Sequence, residues 1–290
     1  MEIVKKLLEN QMLICREFAL KYTCQLYYSY QSLNEQTVLK NIGSGVFFTN
    51  QNDYFLFSAS HVINTKVASN MYIPYGSEMI EIRGEVVNTV VDSGKTREDD
   101  KLDFVIVKLH INTIEKVKKM FDFISENELE LDHKISDNHD YFLFGFPNAW
   151  TDKISENNKI IGFKPNPLIL QTNSKTGKFT QVPEYDVNSK IILNYYNRNY
   201  NSTNSSDRFS NLPDPNGMSG CGLWYMPMKE NIIEGKKHIK LAGIATDFFF
   251  QDNALAVTAI DVITETLRLK FDPKIQKSKR IKVNIQDKAD

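Results

Sequence analysis

Between about residues 20 and 260 the chain is a succession of short apolar and β-branched runs, and this pattern decides its fold class before any motif is considered. Runs occur at Val46–Thr49, Tyr54–Ala59, Val86–Val91, Phe104–Leu109, Tyr141–Phe146, Ile160–Phe163, Leu168–Gln171, Ile191–Tyr195, Leu223–Met226, Leu241–Ala245 and Leu255–Thr258. Gly, Asn, Asp and Pro separate many of them, and most are too short for helices. Many short strands with irregular connections imply a barrel or a sandwich, not alternating β and α units.

Two polar stretches interrupt the pattern. Thr113 to Asn138 is polar and partly helical, as a connection between two β units would be. The stretch 197–211, NRNYNSTNSSDRFSN, has the low complexity of a loop. At the N-terminus Val4, Leu7, Leu8, Met12, Cys15 and Ala19 recur at helical spacing. The strand-like TCQLYYSY follows. IDVITETLRLKF has helical periodicity near the other end, and the charged segment 272–290 is expected to be loosely held.

Composition narrows the function classes. With 290 residues and ~150 per domain, two units or one large β fold are expected. The 35 basic and 36 acidic residues leave a net charge of −1, so no electrostatic argument favours nucleic acid or an acidic membrane. No run approaches the ~18 apolar residues of a membrane helix. Three widely spaced cysteines, Cys15, Cys24 and Cys221, make neither a disulfide framework nor a CxxC metal site. The expectation is a reduced, cytoplasmic protein with no metal and no organic cofactor.

Three segments carry chemistry. GSGVFFTNQNDYFLFSASHVI, residues 43–63, is a strand, a hairpin and a second strand that ends in His61. DDKLDFVIVKL, residues 99–109, puts Asp103 at the head of a buried strand. PNGMSGCGLWY, residues 215–225, puts Ser219 in a glycine-rich turn just before a strand. A serine hydroxyl needs a base to become a nucleophile at neutral pH, and histidine suits that role. A buried carboxylate holds the imidazole in one tautomer. Glycines at 217 and 220 let the chain turn tightly and aim the amides of Gly217 and Ser219 at a developing oxyanion. The other histidines, His110, His133, His139 and His238, lack such a context and are taken as structural.

These segments resemble the trypsin-like serine proteases, in the manner of a bacterial-type intracellular member. Ser58-Ala59-Ser60-His61 matches the family's histidine segment, Leu102-Asp103-Phe104-Val105-Ile106 its aspartate strand, and Gly217-Met218-Ser219-Gly220 its serine turn. The order His, Asp, Ser is that of chymotrypsin. Met218 and Cys221 depart from the family pattern on either side of the serine. The resemblance implies an all-β fold of two six-stranded antiparallel barrels with short N- and C-terminal helices. The helix would span 1–17, the first barrel 18–125, a linker 126–137, the second barrel with its closing helix 138–270, and a charged tail 271–290. It implies a serine endopeptidase acting on peptide or protein substrates, with room for a regulatory protein partner. Its primary pocket would be walled by Pro213 and Asp214 on one side and by Thr246, Asp247 and Phe248 on the other. Two rivals share the fold: a catalytically silent binding module, and a protease using Cys221 as its nucleophile.

Overall fold

The structure, a computed structural model, describes the chain apart from residues 1, 32–36, 52, 64–69, 76–77, 92–93, 95–98, 136–140, 157–158, 176–178, 183–184, 196–213, 227–238 and 284–290. Helix α1 (Glu2–Leu20) leads into β1 (Thr23–Gln31), β2 (Thr37–Asn50), β3 (Asp53–Ala59), β4 (Met71–Tyr75), β5 (Glu78–Glu81), β6 (Gly84–Asn88) and β7 (Phe104–Leu109). These strands form one antiparallel sheet in the order β5-β4-β1-β2-β3-β7-β6. Helix α2 (Ile111–Val117) follows it. The second antiparallel sheet takes β8 (Tyr141–Gly145), β11 (Leu168–Thr172), β12 (Lys190–Asn194), β13 (Gly222–Tyr225), β14 (Lys240–Phe249) and β15 (Ala254–Ala259) in the order β11-β8-β13-β14-β15-β12. A ribbon of β9 (Thr151–Glu156) and β10 (Lys159–Pro165) stands apart, and helix α3 (Ile260–Lys270) closes the second unit. The fold is therefore mostly β, with two curled antiparallel sheets. The first has seven strands where six were expected, and the leading helix extends to Leu20.

Central strands of both sheets are buried on both faces, which explains their continuous apolar runs. Successive residues of a strand point to opposite sides. Phe55 and Phe57 of β3 enter a core between the sheets, together with Phe104 and Ile106 of β7. Leu56, Val105 and Val107 enter a second core within the first sheet's curl. The second sheet divides in the same way. Phe142, Phe144, Trp224, Leu241 and Ile244 face the shared core, whereas Tyr141, Leu143, Leu223, Ala242 and Ala245 face the curl of their own sheet. A strand with solvent on one face would alternate, whereas one with a core on each face reads FVIVKL or YFLFG.

The shared core also draws in both ends of the described chain. Cys15 and Ala19 of α1 lie in it, and Phe18 packs edge-on against Trp224 with ring centroids 5.6 Å apart. Ile275 and Ile281 lie in it too. The expectation of a loose segment after α3 fails over residues 272–283. Ser278 Oγ donates to Asp261 (2.7 Å) or Asp132 (3.0 Å), and Asn50 Nδ2 donates to Asp272 (2.7 Å). The loop expected over 197–211 lies within the undescribed stretch 196–213. No described helix is long and apolar enough to cross a membrane.

Candidate active site

The neighbourhood of His61 and Asp103 follows from one strand pair. β3 and β7 run antiparallel with Ala59 opposite Phe104, so the turn after β3 and the residue before β7 meet at the same end of the sheet. Asp103 occupies that position with φ +44°, a left-handed backbone that a non-glycine residue adopts only when held there. It is held from both sides. Asp100 Oδ1 accepts the amides of Leu102 (3.1 Å) and Asp103 (2.9 Å), while the Asp103 carbonyl accepts the Ser60 amide (3.1 Å). The carboxylate then makes two contacts with one residue: Oδ1 accepts the His61 backbone amide at 2.9 Å, and Oδ2 lies 2.6 Å from His61 Nδ1. Asp103 is 2% exposed, but the His61 side chain is 41% exposed and presents its outer edge to solvent.

The electrostatics follow from this burial. Desolvation alone would lower the His61 pKa, but the hydrogen bond and charge of Asp103, aided by the charge of Asp247, outweigh it. The imidazole is held above its ordinary value, with Lys190 pulling the other way. Burial pushes the Asp103 carboxyl up, and the bond and charge of His61 oppose that. With Nδ1–H donated to the carboxylate, the neutral ring keeps Nε2 as an acceptor.

Ser219 sits in a turn fastened to the first sheet. Gly217 (φ +94°) and Gly220 (φ +85°) take left-handed backbone on either side of it. Ser44 of β2 clamps the turn twice: its amide donates to the Ser219 carbonyl (2.8 Å) and its hydroxyl to the Gly217 carbonyl (2.9 Å). That hydroxyl also accepts the Phe146 amide at 3.1 Å. Gly220 donates to Ala245 of β14 (2.8 Å). Among the described residues, neither the Gly217 nor the Ser219 amide has an acceptor. The serine hydroxyl does not bond His61 and instead lies 3.5 Å from the Thr246 carbonyl.

Of the remaining expected residues, Thr246, Asp247 and Phe248 lie on β14. Pro213 lies outside the described residues. Asp214 is exposed and accepts the Asn216 amide at 3.0 Å. Phe248 packs edge-on against Tyr195, with centroids 5.0 Å apart. Thr246 is buried, and Asp247 approaches a fully buried lysine, Lys190 Nζ, at 3.6 Å. Sequence pattern alone does not mark Lys190, Ser44 or Tyr185. Only the pairing of β12 with β15 reveals Lys190, because a lysine that opens an apolar run otherwise looks like a solvated strand end. Cys221 is fully buried and its thiol pKa is pushed up by burial, as for Cys15 and Cys24. His133 is buried with Nε2 2.7 Å from the Tyr141 hydroxyl, which suits a structural role. His139, His238, Tyr196 and Tyr200 are not among the described residues.

No family model matches the chain, and no curated protein matches it. Solved structures do. One, described as neuropsin, a serine protease expressed in the limbic system of mouse brain, is 13% identical over 88% of this chain and 96% of that chain, with a TM-score of 0.47. That likeness concerns the fold alone, and the two-sheet architecture given above rests on the strands of this chain.

Proposed function

We propose that the chain is a serine endopeptidase in which His61, Asp103 and Ser219 form the catalytic triad. The observation that carries this reading is the doubly bonded His61–Asp103 pair, at 2.6 and 2.9 Å, on the end of β3 against which the Ser219 turn is packed. A buried carboxylate on Nδ1 is the arrangement a general base requires. In the proposed reaction a substrate draws the Ser219 hydroxyl from the Thr246 carbonyl to Nε2 of His61. Nε2 takes the hydroxyl proton as Oγ attacks the peptide carbonyl. The amides of Gly217 and Ser219 donate to the oxyanion that forms. The imidazolium, stabilised by Asp103, gives its proton to the departing amine, and water then hydrolyses the ester by the same steps.

A fluorophosphonate probe tests the assignment. The wild-type protein should be labelled and Ser219→Ala should not, with peptide turnover falling on the order of 10³-fold or more. Iodoacetamide should inhibit poorly, because a buried thiol with a raised pKa is a weak nucleophile. Turnover that survives Ser219→Ala and disappears in Cys221→Ala would overturn the serine assignment. One observation favours a second reading, a silent binding module: Ser219 Oγ rests on Thr246 and not on His61. Absence of labelling in a folded wild-type protein would select that reading.

A further inference from the structure

We propose that Lys190, together with Asp247, is a positioning residue for the cleft: it anchors Thr246 beneath Ser219 and balances the negative charge gathered beneath His61. The inference rests on the serine-protease reading above, but its test does not depend on turnover.

Lys190 opens β12, and its side chain is 0% exposed. An ammonium in such a place costs several kcal/mol unless charges and hydrogen bonds compensate it. Its surroundings are specific. Nζ donates to Thr246 Oγ1 at 2.7 Å, lies 3.6 Å from Asp247 Oδ2 and stands 5.3 Å from the centre of the Tyr185 ring. Burial draws the Lys190 pKa down, whereas the charges of Asp247, Asp103 and Asp100 draw it up. The groups around this cation are therefore Asp103 and Asp100 before β7, Asp247 on β14, and Tyr185 before β12. His61 in turn senses Asp103, Asp247 and Lys190.

Thr246 needs an anchor because the β14–β15 ladder slips there. Ala245 pairs with Val257 and Asp247 with Ala256, which leaves Thr246 at an irregularity between them. Its hydroxyl accepts from Lys190 and donates to the Ala256 carbonyl (3.3 Å), so the side chain is tied from both ends. The carbonyl of the same residue receives the Ser219 hydroxyl. Lys190 thus fixes the group that seats the serine. Its charge also opposes the two carboxylates that favour the imidazolium form of His61.

The two parts of the charge pair should act on His61 with opposite sign. Lys190→Met removes a cation, so the pH at which His61 titrates should rise. Asp247→Asn removes an anion and should lower it. Lys190→Arg keeps the charge and should restore the wild-type value. The imidazole is followed by ¹⁵N NMR in the full chain, with and without Ser219→Ala. A role confined to packing would leave the titration where it is. The proposal is overturned if folded Lys190→Met titrates as wild type, or if Lys190→Met and Asp247→Asn move His61 the same way. Should Lys190→Met fail to fold, Asp247→Asn decides, and an unchanged titration there overturns the proposal. Missing fluorophosphonate labelling defeats the protease reading while leaving this result legible.

Discussion

At the scale of single residues, His61 is governed by a contest between burial and the charges of Asp103 and Asp247. The charges win, so the imidazole keeps its proton to higher pH than the ordinary 6.5. In the proposed reaction His61 must be neutral to accept a proton, so kcat/KM should climb with pH along an acid limb centred above 6.5. Asp103→Asn should move that limb to lower pH, because burial would then be opposed only by the charge of Asp247. A wild-type limb at or below 6.5 would contradict the account. The same shift carries a stability sign: the folded chain binds this proton more tightly, so the stabilisation is complete below pH 6.5 and is lost as pH rises through the folded value. The sequence offers His61, Asp103 and Ser219 as candidates because each is flanked by local signals, an apolar strand or a glycine turn. Lys190 is not marked in this way. Its role comes from strand neighbours more than fifty residues away, and nothing adjacent to it marks the site.

At the scale of elements, the serine turn depends on backbone that only glycine supplies at low cost. A Cβ on Gly220 would stand 2.1 Å from the Ser44 carbonyl oxygen and 2.2 Å from Ser58 Oγ, at φ +85°. Gly94 shares the conformation, φ +84°, but has nothing within 4 Å. Gly94→Ala should therefore cost only the left-handed backbone, about 1 kcal/mol. Gly220→Ala should cost clearly more, on the order of 3 kcal/mol, as the turn separates from β2. Urea midpoints of the two variants would show it, and equal losses would refute the clamp. Long apolar strands such as β7 and β8 were legible because two cores fill both their faces. β4, β5 and β9 were not. MYIPY contains a proline, EMIE is short and half charged, and TDKISE is polar, so their pairing comes from the hairpins that hold them and not from their own composition.

For the molecule as a whole, the core between the sheets is the structure's common element. It collects α1, both sheets, α3 and the segment after α3. Charge content alone made that last segment look solvated, but Ile275 and Ile281 are spaced to reach inward between its lysines. Ile275→Ala should cost about 2–5 kcal/mol, as for a large residue removed from a packed interior. Lys274→Ala, at an exposed position, should change stability by less than about 0.5 kcal/mol. Thermal unfolding of the pair would separate them, and a neutral Ile275→Ala would mean that the segment is not part of the core.

The edge-on contact between Phe18 and Trp224 joins a helix to a strand synthesised well after it. A ribosome delivers α1 before any strand of the core it packs into. Until β13 and the residues carrying Ile275 and Ile281 have emerged, the native core around Cys15 and Ala19 is incomplete. The serine turn is likewise made after the strand it is fastened to, through Ser44 of β2. In a chain of this design the proposed triad cannot assemble before Ser219 has followed His61 and Asp103 out of the ribosome.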